Sequence, residues 1–243
     1  MNANQVKAEQ TAYRNTPPSF LGRGIERLTN PVGKALAGML PKSMVESVLK
    51  GLDKAMAMPE LVTFDHDTSD IASAQRAAEN VERYARTINA SSGAAAGLGG
   101  ALTASADIPA TIAIALRAIR DTGRAYGFDG EGERERLFRL QVLEIAALDS
   151  HEEKIDRLDA LEADIDETGA LAPIDTSSIA PVIDQVVERV SRAIAFASVR
   201  RRAGMVIPLV GSAVGGFVNA QFQRDVARAS RYAFQARRLR TME

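Results

Sequence analysis

The chain has 243 residues, 46% of them hydrophobic and 25% charged, with a net charge of −1, no cysteine and no tryptophan. That length carries one sizeable core, and the missing cysteines exclude disulfides, thiolate nucleophiles and Cys-ligated zinc. With aromatic residues at only 5%, the core has to be built from Ala, Leu, Ile and Val, which favours close-packed helices over a sheet sandwich.

The opening MNANQVKAEQTAYRNTPPSF has no apolar run of the kind a secretory signal needs. Residues 1–29 are expected to form a mobile tail, and residues 30–240 a single compact all-α domain of about eight or nine helices. Asn30-Pro31 reads as an N-cap with proline at the first helical position, opening PVGKALAGML. A second helix fits KSMVESVLKGLDKAMAM, with Val45, Leu49, Leu52 and Met56 on one face and Pro59 closing it. Ile71, Ala74, Ala78, Val81, Ala85 and Ile88 then recur at steps of three and four, an amphipathic stripe. PATIAIALRAIRDTGRAYG keeps helical register as far as Gly127, a natural C′ glycine.

EGERERLFRLQVLEIAAL sets Leu137, Leu140 and Leu143 beside Phe138, Val142 and Ile145. SHEEKIDRLDALEADIDETG begins with a capping box from Ser150 to Glu153 and is expected to run to Gly169. Ile179, Val182, Ile183, Val186, Val190 and Ala193 mark the next helix, and the last extends from Leu209 to about Arg238. No strand alternation of useful length and no fixed internal repeat occurs.

Glycine use is the most unusual feature. Taken as one helix, residues 93–107 align Gly93, Gly97, Gly100 and Ala104 on a narrow stripe, with Asp107 near its end. Glycines in a helix interior cost roughly 1 kcal/mol each against alanine, which close contact with a neighbouring helix offsets. A partner stripe runs through Gly211, Gly215, Val218, Phe222, Val226, Ala229 and Ala233. Two Gly-bearing helices crossing at their glycines, at the centre of the domain, are therefore expected. Thr87–Ala106 and Ala203–Gln223 are free of charge and long enough to span a bilayer. The polar content of the first, and Pro208, Asn219 and two glutamines in the second, favour a buried pair; insertion of one or both in a membrane stays open. Asp107 is either an N-cap of a helix beginning at Ile108 or a charge placed at the crossing, facing an arginine or a ligand.

Charge is unevenly distributed. From Asp129 to Asp175 there are fifteen acidic residues against five basic, and from Arg189 to Arg240 eleven basic against one acidic. Either the acidic and basic helices pair with one another, or an anionic partner takes up the basic part. Arg224, Arg228, Arg231 and Arg238 fall on one side of the last helix, an anionic-surface candidate that is structural if the acidic helices cover it.

Two blocks resemble the EcsC family, bacterial proteins named after the third product of an ABC-transporter operon. The first stands here as Gly93, Gly97, Gly99, Gly100, Asp107, Pro109, Tyr126, Gly127 and Asp129, and the second as Pro208, Gly211, Gly215, Asn219 and Phe222, with Arg237 to Leu239 as its basic tail. The resemblance covers about residues 45–240. It implies no catalytic activity that can be carried over, and a link to transporters through gene neighbourhood.

Chemistry finds little support. His66, among Asp65, Asp67 and Asp70, could meet a divalent ion, but the plainer reading is a solvated loop in which Asp67 or Ser69 caps the next helix; His151 sits in the first turn of an acidic helix. No phosphate loop, dinucleotide fingerprint or nucleophile–histidine pair is present, and neither a cofactor nor a metal is expected. The expected function is a non-enzymatic helical binding or scaffold protein, cytoplasmic and peripheral at the inner face of the membrane, supporting transport or secretion. Its expected partners are an anionic membrane surface or a membrane protein. The alternative is a hydrolase with a carboxylate-centred site at Asp107 and Tyr126. Nucleic acid is disfavoured, because stacking aromatics and a recognition motif are missing.

Overall fold

The structure, a computed structural model, describes residues 2–18, 42–98, 104–148, 150–174, 179–191 and 211–242. Of these, only the backbone is described for 42–44, 47, 89–98, 104–109 and 211–220. Among the described residues are eight helices: α1 Ala3–Asn15, α2 Lys42–Ala57, α3 Ile71–Leu98, α4 Ala104–Ala125, α5 Glu133–Ala147, α6 His151–Ala163, α7 over 179–191 and α8 Gly211–Arg240. The β-structure among these residues is one isolated bridge, Ile165 to Leu171. The fold is all-α.

The residues expected to be a mobile tail include a docked helix. Asn2 and Gln5 form a reciprocal capping box, with N–H···O distances of 3.0 and 2.8 Å, that satisfies two free amides. Val6 is fully buried, and Tyr13 packs on Tyr232 with ring centroids 5.2 Å apart. A helix with one fully buried residue leaves almost no hydrophobic period to read. The ordered domain thus begins well before residue 30, while PVGKALAGML lies outside the described residues.

Helix α8 is the axis of the fold. It packs most extensively on α3 and also touches α1, α4, α5 and α6, while α2 packs on α4. Gln235 of α8 bonds Gln75 of α3 at 2.9 Å, and Arg231 pairs with Glu82, so the two helices run antiparallel. Continued along both backbones, that register sets Gly97 level with Gly215. The helices bearing the glycine stripes are thus the most closely associated pair; the contact at the glycines themselves lies outside the described side chains.

Three elements differ from expectation. On α2 the buried residues are Val48, Gly51, Leu52 and Ala55, while Leu49 is 39% exposed. The face is turned because Gly51 sits against Ile112 of α4, where a Cβ would come within 2.7 Å of its side chain. Residues 93–107 are not one helix: α3 ends at Leu98 and α4 starts at Ala104, with Gly100 outside the described residues. Helix α6 stops at Ala163, because the Asp166 carboxylate accepts the amides of Thr168 and Ala170 at 2.8 and 3.0 Å and bends the chain into a turn. Gly169 closes that turn at φ +76°.

The other stripes are mostly buried as read, with Val182 and Ile183 of α7 only half-buried against the core. Ile71, Ala74, Ala78, Val81 and Ala85 line α3, Leu137 to Ile145 fill α5, and Ile179, Val186 and Val190 line α7; Ile88 is 39% exposed, and Ala193 lies outside the described residues. Gly127 has φ +84° and ends α4, with Phe128 N–H reaching Gly123 O at 2.8 Å.

Candidate functional site

The interior holds more charge than its apolar pattern suggests, and its use begins on α4. Arg120 is 2% exposed and donates to Ala55 O at 2.7 Å, Met58 O at 2.9 Å, and Met56 O and Pro59 O at 3.4 Å. The Ala55 and Met56 carbonyls are among those the end of α2 leaves without helical partners, and Met58 and Pro59 follow directly after it, so the cation sits at the negative end of the helix dipole. Asp121, fully buried, accepts Arg120 Nε at 2.8 Å through one oxygen and Leu61 N–H at 2.7 Å through the other. Arg117 adds bonds to Pro59 O and Glu60 O, and Arg124 an ion pair with Glu60 at 2.6 Å. One charged face of α4 thereby fixes the whole 55–61 turn.

A second network follows α8. Tyr126 O–H donates to Gln75 at 2.5 Å, and Gln235 bridges Gln75 and Glu9 at 2.9 and 3.1 Å. Burial pushes the Tyr126 phenol well above its ordinary range. Arg237 lies 4.0 Å above the Phe128 ring, donates to Gly169 O at 2.9 Å and pairs with Glu135 at 2.9 Å. Glu144, 2% exposed, holds Arg189 at 2.9 Å and Arg157 at 3.1 Å, tying α5 to α7 and α6.

The middle of the arginine stripe of α8, Arg228 and Arg231, lies under α1. Arg231 pairs with Glu82 of α3 and with Glu9 of α1 at 3.4 Å, leaving its side chain 14% exposed. Arg228 is half-buried, 5.6 Å from the Tyr13 ring; Arg238 is half-buried and Arg224 exposed. The four therefore do not form one open stripe. What covers Arg231 is α1 and α3, rather than the acidic helices of residues 131–167.

Beyond it, Arg14 reaches Glu162 and Tyr232 Oη at 3.0 Å and pairs with Asp159. Lys154 donates to Tyr13 O at 2.6 Å and Thr16 O at 2.9 Å, the last carbonyls of α1. Burial, then the nearby Arg228, lowers the Lys154 pKa to about 8. A cleft of about 90 Å³ lies here, lined by Glu9, Ala12, Tyr13, Arg228, Tyr232 and Gln235. Ordinary ligand pockets are several times larger, roughly 300–1,000 Å³.

The EcsC protein family matches residues 6–239 of the chain. The chain belongs to the EcsC family. It is 27% identical over 131 residues to Protein EcsC of Bacillus subtilis (strain 168), a match covering 53% of this chain and 55% of that protein. It is 28% identical over 131 residues to Uncharacterized protein YdbA of the same strain, covering 54% of this chain and 43% of that protein. The matched region thus spans about half the length of these relatives. No solved structure matches.

The EcsC motif residues are spread along the bundle. Gly93 and Gly97 lie in the last turns of α3, Asp107 and Pro109 at the start of α4, and Gly211, Gly215 and Asn219 in the first turns of α8. Pro208 lies outside the described residues. Asp107 is the fourth residue of α4, so it is not the N-cap of a helix beginning at Ile108. Tyr126 lies at the opposite end of the same helix, nineteen residues away, or about 28 Å at 1.5 Å rise per residue. No single site holds both. Phe222 is buried, and Gly127 packs against Thr68.

The histidine loop is structural. His66 Nε2–H donates to Ala125 O at 2.8 Å, so the ring ties the loop to α4 instead of lying in solvent. The α3 cap is Asp70, which accepts Ala72 N–H and Ser73 N–H at 3.2 and 3.1 Å; Asp67 accepts Ser69 N–H at 2.8 Å. His151 is exposed. Among the described residues no group of acidic, histidine or cysteine side chains is placed to hold a metal ion, and no helix is long and apolar enough to cross a membrane.

Sequence reasoning missed Arg117, Arg120, Asp121 and Arg124. Their signal was available: charges at 117, 120, 121 and 124 repeat at helical spacing directly after an apolar run, a charged stripe entering the core.

Proposed function

We propose that this EcsC-family chain is a non-enzymatic helical binding or scaffold protein that acts at an anionic membrane surface, on the inner side, in support of transport or secretion. The carrying observation is how the buried ionisable groups are used. Arg120, Asp121, Glu144, Lys154 and Arg237 each hold helix ends or neighbouring helices together. Groups committed to two to five structural contacts serve a rigid body that presents a surface, not a proton relay. The uneven charge supports an anionic surface as the partner: each cation near such a leaflet contributes about 1 kcal/mol.

Flotation tests the reading. The full chain should rise with vesicles of equal parts phosphatidylglycerol and phosphatidylcholine at low salt, release at high salt, and ignore pure phosphatidylcholine. Failure to float with anionic vesicles at low salt would remove the membrane from the reading.

A further inference from the structure

We infer that α1 is a strap seated in a helix-binding groove on α8 and α6, that it leaves as a unit while the rest of the bundle stays folded, and that a helix of the same charge order from a partner protein takes its place. The groove serves such a partner whether or not the chain meets a membrane.

Helix α1 has thirteen residues and one fully buried side chain, Val6, while Asn4, Gln5, Ala8, Thr11 and Ala12 are exposed. Polar tips make most of its attachment. Glu9 accepts from Gln235 at 3.1 Å and pairs with Arg231 at 3.4 Å, and Gln10 donates to Tyr232 O at 3.2 Å. Arg14 donates to Glu162 and Tyr232 Oη at 3.0 Å. The cleft of about 90 Å³ between Ala12 and Tyr13 of α1 and Arg228 and Tyr232 of α8 leaves the two helices without close packing along that length. The Asn2–Gln5 capping box closes the first turn of α1 with local bonds, so the start of the helix does not draw on the bundle.

The groups beneath α1 keep other partners when it goes. Arg231 keeps Glu82, Gln235 keeps Gln75 at 2.9 Å, and the Tyr232 hydroxyl keeps Glu162. The Lys154 ammonium, which donates to Tyr13 O and Thr16 O, turns to water. Arg120 is the contrast: it would lose all four of its carbonyls if α2 left. A segment with few buried apolar contacts, over a floor that stays hydrogen-bonded without it, opens below the free energy of global unfolding.

The vacated groove is bipolar and has a direction. On α8, Arg231 meets the Glu9 carboxylate, and Tyr232 meets the Tyr13 ring with centroids 5.2 Å apart. On α6, Asp159 and Glu162 meet Arg14, and Lys154 holds the carbonyls that end the helix. A ligand helix therefore needs a carboxylate, an aromatic ring four residues later on the same face, and a cation directly after it. Helices that lie in a groove through anchors at such spacing are a recurrent mode of protein recognition. Being part of the same chain, α1 competes intramolecularly, so a free helix gains access when α1 is loosened.

The test uses the full chain and a fluorescent peptide of residues 2–18. In hydrogen–deuterium exchange of the unmodified chain, the amides of residues 6–15 should exchange together, at least about a hundredfold faster than those of residues 137–146 in α5. Val6→Asp should quicken exchange only within α1 and keep Tm within about 3 °C. It should also raise affinity for the peptide at least about tenfold over the unmodified chain. Gln10→Ala with Arg14→Ala, which removes polar links alone, should act in the same direction. A peptide carrying Glu9→Arg and Arg14→Glu should bind the Val6→Asp chain at least about tenfold more weakly. Exchange of α1 at the rate of α5, or a larger fall in Tm with both variants, would overturn the strap. No peptide binding by either variant, or equal binding of the two peptides, would overturn the groove. A concentration-dependent dimer of the unmodified chain, held through residues 2–18, would give the groove to α1 of a second copy and overturn the partner-protein assignment.

Discussion

Replacing Arg120 by methionine should be among the most damaging single changes to this fold. The substitution keeps most of the buried stem but removes the guanidinium from the carbonyls of Ala55, Met56, Met58 and Pro59 and from Asp121. Asp121 is fully buried and keeps only the Leu61 amide. Breaking a buried pair from one side typically costs about 3–5 kcal/mol, and uncapping the end of α2 works in the same direction, so about 4 kcal/mol is expected. For a chain of this size each kcal/mol lowers Tm by about 2–4 °C, which places the shift at about 8–16 °C. Thermal and denaturant unfolding followed by far-UV circular dichroism measure it. Arg120→Met combined with Asp121→Leu should recover part of the loss, because no orphan carboxylate remains. A single variant within about 0.5 kcal/mol of the unmodified chain, the range of ordinary surface substitutions, would refute the claim that this pair holds α2 in place.

Gly169→Ala should cost about 2–4 kcal/mol, since φ is +76° and a Cβ would overlap Arg237 O and approach Thr241 within 2.9 Å; Gly132→Ala, which meets nothing within 4 Å, should melt like the unmodified chain. Gly97→Leu and Gly215→Leu should each lower stability by about 1–3 kcal/mol through overpacking, and unchanged melting in both would break the proposed helix crossing. Lys154 gives a pH signature. Its pKa of about 8 in the fold lies below the ordinary value of 10.5, so from about pH 8 upward the unfolded chain binds more protons at this site and stability rises with pH. Near pH 10 the buried phenols of Tyr13, Tyr126 and Tyr232, raised by burial, reverse the slope, because the unfolded chain loses those protons first. Lys154→Met should abolish the rise between about pH 8 and 10 and keep the fall above it in chemical-denaturation curves.

Most of the core was legible because it is periodic. Ile71 to Ala85 and Leu137 to Ile145 bury the residues their spacing selects, since a helix with an apolar stripe has one stable way to face a core. The parts not legible depend on polar groups. Helix α1 is held by Glu9, Gln10, Tyr13 and Arg14 reaching α6 and α8, contacts that leave no hydrophobic period. The same omission misreads the α8 arginines, because Glu9 and Tyr13 are what cover Arg231 and Arg228. The α2 face is set by the close approach of Gly51 to Ile112, a tertiary fact invisible in a single stripe. At the family motif, the alternative of one carboxylate-centred site at Asp107 and Tyr126 is not supported, because the helix Ala104–Ala125 runs between them and separates the two.

The central claim is that the chain is a rigid helical body that meets an anionic membrane surface. Hydrogen–deuterium exchange of the full chain, with and without vesicles of equal parts phosphatidylglycerol and phosphatidylcholine, addresses it residue by residue. The expected result is vesicle-dependent protection of a contiguous part of the chain at low salt that disappears at high salt and with pure phosphatidylcholine. No vesicle-dependent change anywhere at low salt would contradict it.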